Sequence, residues 1–131
     1  MSEPKFLAFD DVVNIHAHEI AIAGGIDGIR DLDALHSAIG APLASFEGRF
    51  LMSIFEMAAT YANSIALNHP FLDGNKRAAL ASALTFLYMN GYEFNELYDE
   101  ELADKMLELV THQISKKHLS DFFEQRCIAV E

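Results

Sequence analysis

The sequence predicts an all-α fold, a compact bundle of six helices. The chain has 131 residues, of which 51% are hydrophobic and 22% charged, so one domain with a substantial core is expected over residues 1–131. Its apolar residues recur mainly at helical spacing, and capping residues and glycines separate the apolar segments. No repeat, low-complexity run or linker divides the chain. Helices packed on helices are therefore the expected architecture.

The first two helices are delimited by acidic caps and glycines. Residues 5–9 are a short apolar run that we expect to be extended and to pair with the chain end or a partner. A helix follows over residues 10–22, closed by the glycine pair 24–25, because glycine adopts the left-handed conformation of a C-cap. Asp31 caps a short second helix, which ends by Pro42.

Two long apolar segments, residues 50–68 and 76–90, predict the central helices. Both are apolar over much of their circumference, and the many alanines of the second allow close approach. We expect them to form a central antiparallel pair that holds a short loop between them. Residues 41–49 are predicted to be irregular.

The C-terminal third predicts two more helices. Gly91 ends the fourth helix and residues 92–95 are expected to turn. A fifth helix is predicted over residues 98–111. Ser115 then caps a sixth, which continues through Phe123 and toward Ile128.

Charge and cysteine content exclude several classes of protein. The net charge is −11, from 20 acids against nine lysines and arginines, which argues against binding nucleic acid or an acidic membrane surface. The single cysteine allows no intrachain disulfide and no thiolate metal cluster. With no export signal and no apolar stretch of roughly 18 residues, a cytoplasmic location and no membrane association are expected.

The residues that point to chemistry are concentrated in the run HPFLDGNKR at 69–77, between the central helices. Open N–H groups at the start of the following helix would form an anion site, which Lys76 and Arg77 strengthen for phosphate. Asp73 can cap that helix and suits a magnesium ion that accompanies phosphates. His69 is the natural proton acceptor of this run, because imidazole is the side chain best suited to take a proton near neutral pH.

The remaining residues of the run are expected to shape it. A proline disfavours the α region in the residue before it, so the helix should end near His69, whose side chain then projects from the helix end. Phe71 should face inward and, with Pro70, anchor the loop. Gly74 and Asn75 suit the turn and are candidate phosphate-binding residues.

Less specific interpretations of the run remain. It could be a plain helix–loop–helix connection with a solvated basic pair, or a metal hydrolase site using His69, Asp73 and a further histidine. Rossmann and Walker phosphate loops are excluded, because the sequence has neither GxGxxG nor GxxxxGK[ST]. His16 and His18, two residues apart, fall on different faces of a helix, one at the core edge and one at the surface. His16 could line a pocket.

This run resembles the signature of the Fic and death-on-curing superfamily, His-x-Phe-x-Asp/Glu-Gly-Asn-x-x between two core helices. All its residues except Leu72 match the commoner death-on-curing version. The glycine pair 24–25 before Gly-Ile-Arg-Asp at 28–31, and the run 86–92, also agree. The resemblance covers essentially the whole chain and implies the compact six-helix Fic/Doc fold.

Two positions bear on the reaction that the resemblance implies. Fic enzymes that transfer adenylyl groups usually have glycine in place of Lys76 and arginine in place of Leu80. The death-on-curing form implies a toxin of a toxin–antitoxin module, a kinase that transfers the γ-phosphate of ATP to a hydroxyl of elongation factor Tu and arrests translation. His69 would be the general base, Asp73 would bind Mg²⁺, and residues 74–77 would surround the phosphates. The alternatives are a Fic-type adenylyl or other nucleotidyl transferase acting on a protein hydroxyl, and a non-catalytic binding module.

The resemblance also bears on targets and control. Residues 41–49 resemble the flap that guides a target chain, and Arg30 is a candidate contact for the target or a phosphate, although a loop arginine more often pairs with an acid such as Asp27 or Asp33. The inhibitory pattern [ST]xxxE[GN] is absent. A separate antitoxin is therefore implied, with a segment that docks across the helices near the active site. An exposed apolar groove would support this, and a uniformly polar surface around residues 5–50 would argue against it.

Overall fold

The computed structural model describes residues 3–130 and confirms the all-α prediction. Within those residues the chain forms six α-helices, α1 Phe9–Ala23, α2 Leu32–Gly40, α3 Ile54–Asn68, α4 Asn75–Met89, α5 Asp99–Val110 and α6 Lys116–Arg126. Short 3-10 turns lie at Ala41–Leu43 and Glu96–Tyr98. Four short strands complete the described chain, β1 Ser45–Phe46, β2 Arg49–Phe50, β3 Tyr92–Phe94 and β4 Cys127–Ala129.

The α3–α4 pair is the centre of the molecule, as predicted. These two helices pack on each other more extensively than any other pair in the described chain, and α3 also packs against α2, α5 and α6. Alanines on both helices are fully buried, and the rings of Tyr61 and Phe86 meet at 5.0 Å between centroids. The short loop between α3 and α4 is therefore held by the most buried part of the fold.

Within residues 3–130 the N-terminal run forms no strand pair with the chain end, so that part of the prediction was wrong, whereas pairing with a partner stays a prediction. The backbone of Lys5 instead exchanges hydrogen bonds with the side chain of Asn90, at 2.8 and 2.9 Å. The N–H of Leu7 donates to the buried hydroxyl of Tyr61, at 3.1 Å. Burial raises the pKa of Tyr61 to about 12, so this hydroxyl remains a neutral partner.

Residues 41–49 are less irregular than predicted, and α3 begins later. β1 and β2 pair as an antiparallel hairpin, because Glu47 and Gly48 both adopt positive φ and reverse the chain. Ser53 and Glu56 then form a capping box, which starts α3 at Ile54.

The predictions of a turn at 92–95 and of a sixth helix reaching Ile128 were also wrong. The sixth helix ends at Arg126, and β4 pairs with β3 in antiparallel register. Gly91, at φ 93°, turns the chain out of α4, and Phe94 then packs against Phe122 and Phe123. Among residues 3–130, no helix has both the length and the apolar character needed to cross a membrane.

Candidate functional site

The motif loop begins at His69, which is the C-cap of α3. α3 ends at Asn68, close to the end that the proline at position 70 predicted. His69 itself has left-handed dihedral angles, φ 48° and ψ 54°. Few residues with a Cβ adopt this conformation, although histidine does so more often than most. The side chain of His69 is exposed at the end of the central pair, while Pro70 is buried.

One cavity of about 470 Å³ collects most of the predicted site residues. Its wall is made by the motif loop, the ends of α3 and α4, and one residue of α5. The lining residues are Ala66, Leu67, His69, Leu72, Asp73, Gly74, Asn75, Lys76, Arg77 and Val110. The cavity thus unites a histidine, a carboxylate and two cationic side chains at the start of a helix.

The start of α4 is open toward this cavity. Gly74 is the N-cap in a left-handed conformation, φ 73°, and no side chain of the described residues caps the helix. The prediction that Asp73 caps α4 was therefore wrong. Its Oδ1 accepts from the N–H of Gly74 at 2.8 Å, and its Oδ2 accepts from the N–H of Ile26 at 3.2 Å. The first-turn N–H groups of α4 are left for an external acceptor.

Asp73 is ionised throughout the neutral range. The hydrogen bonds from Ile26 and Gly74 lower the pKa of its carboxyl below 3.8, and the nearby Arg77 and His16 lower it further. A lowered pKa in the folded chain contributes stability above pH 3.8, and this contribution is lost as the pH falls through the folded value. Near neutral pH the group can therefore bind a cation but cannot act as an acid.

The side chain of Asn75 is occupied within the loop. Its Oδ1 accepts from the N–H of Phe71 at 2.9 Å, and its Nδ2 donates to the carbonyl of Phe71 at 3.0 Å. This amide therefore clamps the loop across four residues. Because both ends of this amide are bound to Phe71, only the backbone N–H of Asn75 is available for the predicted phosphate contact.

Beneath the loop, Phe71 is buried against a histidine of α1. Its ring stacks on that of His16, with 3.8 Å between centroids and 4° between planes. The Nε2 of His16 lies 2.7 Å from the backbone carbonyl of Asp73, and because a carbonyl only accepts, Nε2 carries the hydrogen. His16 is buried and His18 exposed, so the prediction of one core and one surface histidine is confirmed.

The loop at residues 28–31 runs beside the motif loop and binds its backbone. Ile29 and Phe71 form a β-bridge, and the N–H of Leu72 donates to the carbonyl of Gly28 at 3.0 Å. The guanidinium of Arg30 donates to backbone carbonyls at the end of α3. No described ion pair joins Arg30 to an acid, and Arg30 does not line the cavity.

The sequence indicated that the glycine pair 24–25 ends α1 and supports the family resemblance, but it did not place the pair at the site. Gly25 has φ 123°, and a Cβ at this position would lie 2.8 Å from the Oδ2 of Asp73. It would also lie 3.1 Å from the guanidinium of Arg77. The second consecutive glycine, beyond the one that a C-cap requires, was the available signal for this close approach.

The donor set fits a magnesium ion shared with a ligand, not a site built from protein alone. Among residues 3–130, no group of three or more His, Cys, Asp or Glu side chains is arranged to hold a metal. Mg²⁺ commonly keeps several waters and binds one or two carboxylates together with substrate phosphates. Asp73, next to an open helix N-terminus, is the residue of this site that could supply such a carboxylate.

The fold and the site define an all-helical domain whose central helix pair presents a histidine and an anion-binding helix start in one cavity. The family model described as Fic/DOC matches residues 6–87, well over half of the chain. The chain belongs to the Fic/DOC family, and the resemblance drawn from its motif is confirmed.

Two relatives named for Doc match most of the chain. It is 34% identical to "Protein kinase doc" of Escherichia phage P1 over 118 residues, which cover 89% of this chain and 91% of that protein. It is also 34% identical to "Toxin Doc" of Mycolicibacterium smegmatis over 104 residues, covering 79% and 78%. Family and relatives together support an enzymatic toxin of a toxin–antitoxin module.

Proposed function

We propose that this chain is a Doc-like kinase toxin that transfers the γ-phosphoryl group of ATP to a protein hydroxyl, with elongation factor Tu as the target. One observation carries the proposal. An exposed histidine, an ionised carboxylate and the open N-terminus of α4 share a single cavity. A phosphoryl transfer needs a base, a cation site and donors to phosphate oxygens, and these three features correspond to those needs.

The proposed reaction needs no reagent other than ATP and the target hydroxyl. The target hydroxyl loses its proton to His69 as its oxygen bonds to the γ-phosphorus, while the bond from that phosphorus to the bridging oxygen breaks and ADP leaves. Backbone N–H groups of residues 74–77, with Lys76 and Arg77, would hold the phosphates. Asp73 would hold Mg²⁺, which when bound neutralises phosphate charge.

The exposed Lys76 supports transfer of the γ-phosphoryl group over nucleotidyl transfer. It lies in the first turn of α4 and forms no described ion pair. An ammonium group there adds charge and bulk to the phosphate site. A nucleotide bound in the orientation opposite to that used by the adenylyl-transferring Fic enzymes would then present its terminal phosphate to His69.

Exposed apolar side chains support an antitoxin as the controlling partner. A uniformly polar surface around residues 5–50 would have argued against it. Several large apolar residues in that part of the chain are instead exposed: Ile22, Ile26, Ile29, Leu32, Leu43, Phe46 and Phe50. An apolar segment of a separate chain could bury some of these side chains.

Label transfer tests the reaction. Purified protein, Mg²⁺ and a cell extract containing elongation factor Tu are incubated with ATP labelled at the γ- or at the α-phosphate. We expect label to move from the γ position only, and His69→Ala to reduce transfer by two to four orders of magnitude, the usual contribution of a general base. His118→Ala, a change at an exposed histidine outside the cavity, should transfer label like the wild type.

Each other result contradicts part of the proposal. Label moving from the α position would establish nucleotidyl transfer and show that Lys76 does not dictate the reaction. No transfer from either position, with wild type and His69→Ala alike, would favour the binding module. Labelling of a protein other than elongation factor Tu would support the kinase reaction and show that the target is a different protein.

A further inference from the structure

We propose that Arg30 is a positioning residue for His69, holding the backbone at the end of α3 so that the imidazole projects into the cavity. The catalytic part of this inference rests on the proposed role of His69 as the base. The structural part, that Arg30 fixes the conformation of His69, stands by itself and can be measured without any activity.

Three consecutive carbonyl groups at the end of α3 are bound by residues 30 and 31. The Nη2 of Arg30 donates to the carbonyl of Asn68 at 3.1 Å, and its Nε donates to that of His69 at 2.6 Å. The backbone N–H groups of Arg30 and Asp31 donate to the carbonyl of Pro70 at 2.7 and 3.1 Å. The backbone on both sides of His69 is therefore fixed from one short segment.

The conformation of His69 explains why such fixation is needed. With φ at 48°, His69 is in the left-handed region, which a residue with a Cβ rarely adopts. The last carbonyls of an α-helix also lack partners within the helix and carry partial negative charge. A guanidinium suits this helix end in two ways. Its planar fork of donors binds two of the unpaired carbonyls, and its positive charge complements their partial negative charge.

The same geometry directs most of the Arg30 donors to backbone and away from the cavity. Two of its three guanidinium nitrogens donate to backbone carbonyls, and its side chain is absent from the cavity wall. Its influence on the reaction would then pass through the placement of His69. A loss of Arg30 should lower kcat and leave the KM for ATP nearly unchanged.

The test compares Arg30→Ala and Arg30→Lys with Asn90→Ala. Asn90 is a matched control because its amide also binds backbone at a helix end, accepting from Lys5 and donating to the carbonyls of Lys5 and Phe86, at the opposite end of α4 from the motif. We expect Arg30→Ala to lower kcat by about ten- to a hundredfold, the scale of an ångström-sized misplacement, with KM changed less than about twofold. Arg30→Lys should retain part of the activity because one donor and the charge remain.

An amide NMR spectrum provides the second readout. The backbone signal of His69 should shift or broaden in both Arg30 variants and remain in place in Asn90→Ala. If Arg30→Ala does not fold, the test rests on Arg30→Lys. This variant keeps the positive charge at the end of α3 and is therefore expected to fold.

Three outcomes would overturn the inference. The first is an unchanged His69 signal in the Arg30 variants. The second is a loss of kcat that Asn90→Ala reproduces at an equal fall in Tm, because that is the effect of stability alone. The third is a raised KM with an unchanged kcat, which would assign Arg30 to substrate binding. If the wild type transfers no label, the proposed function fails, and the NMR comparison still decides whether Arg30 positions His69.

Discussion

At the scale of single residues, Gly24 and Gly25 are neighbours with positive φ, yet only Gly25 lies against the site. A Cβ at Gly25 would come within 2.8 Å of the Oδ2 of Asp73 and 2.9 Å of the Cδ1 of Ile20, whereas a Cβ at Gly24 would meet no atom within 4 Å. This pair separates the effect of backbone strain from the effect of a collision.

We expect Gly25→Ala to destabilise the fold by about 1–3 kcal/mol and to reduce phosphoryl transfer, because the methyl group displaces the Asp73 carboxylate. Gly24→Ala introduces only the strain of its own backbone conformation, φ 83° and ψ 172°, about 1–3 kcal/mol, and should leave transfer near the wild-type rate. Thermal unfolding and the γ-label assay measure both effects. Equal losses of γ-label transfer in the two variants would show that the close approach of Gly25 to Asp73 does not affect the reaction.

At the scale of elements, α1 supports the motif loop through one buried side chain. His16 contacts the loop in two ways, by stacking on Phe71 and by donating to the carbonyl of Asp73 at 2.7 Å. The Nδ1 of His16 lies 3.5 Å from the exposed carboxylate of Asp27, which belongs to the loop after α1. A phenylalanine at position 16 would preserve the stacking and remove the hydrogen bond.

His16→Phe should therefore lower the free energy of unfolding by about 1–3 kcal/mol, the cost of leaving a partly buried carbonyl without its partner. His18→Phe changes an exposed residue of the same helix and should stay within about 0.5 kcal/mol of the wild type. Urea unfolding gives both values. A fully stable His16→Phe variant would mean that stacking alone holds the loop.

Helix starts were more predictable than strands because their signals are local. Asp31 and Ser115 cap α2 and α6 by accepting from the N–H three residues ahead, as their sequence positions indicated. The β3–β4 pair escaped prediction because its partners are more than thirty residues apart and each strand has only three residues. No local periodicity is long enough to reveal such a strand.

At the scale of the whole molecule, net charge is the dominant electrostatic feature. The chain carries −11, and the described residues form only three ion pairs between a lysine or arginine and an acid, all of them between side chains that are partly or largely exposed. Such pairs contribute little to stability, so repulsion among the excess carboxylates should outweigh them.

We expect Tm to rise when sodium chloride is raised from about 10 mM to about 150 mM, because the screening length shortens from ~30 Å to ~8 Å and weakens that repulsion. Scanning calorimetry at neutral pH measures the change. A fall in Tm over this range would show that the attractive pairs dominate.

The sequence by itself determined the six helices, the central pair, and the motif residues that line much of the cavity, because periodicity, caps and a contiguous motif are local properties of the chain. Only the tertiary structure decided how those residues are held. Arg30 binds carbonyls 38 and 39 residues away, and His16 binds one 57 residues away. Those contacts form when α1 and the loop at 28–31 pack beside the central pair, and no spacing within either segment specifies the distant backbone atoms that become their partners.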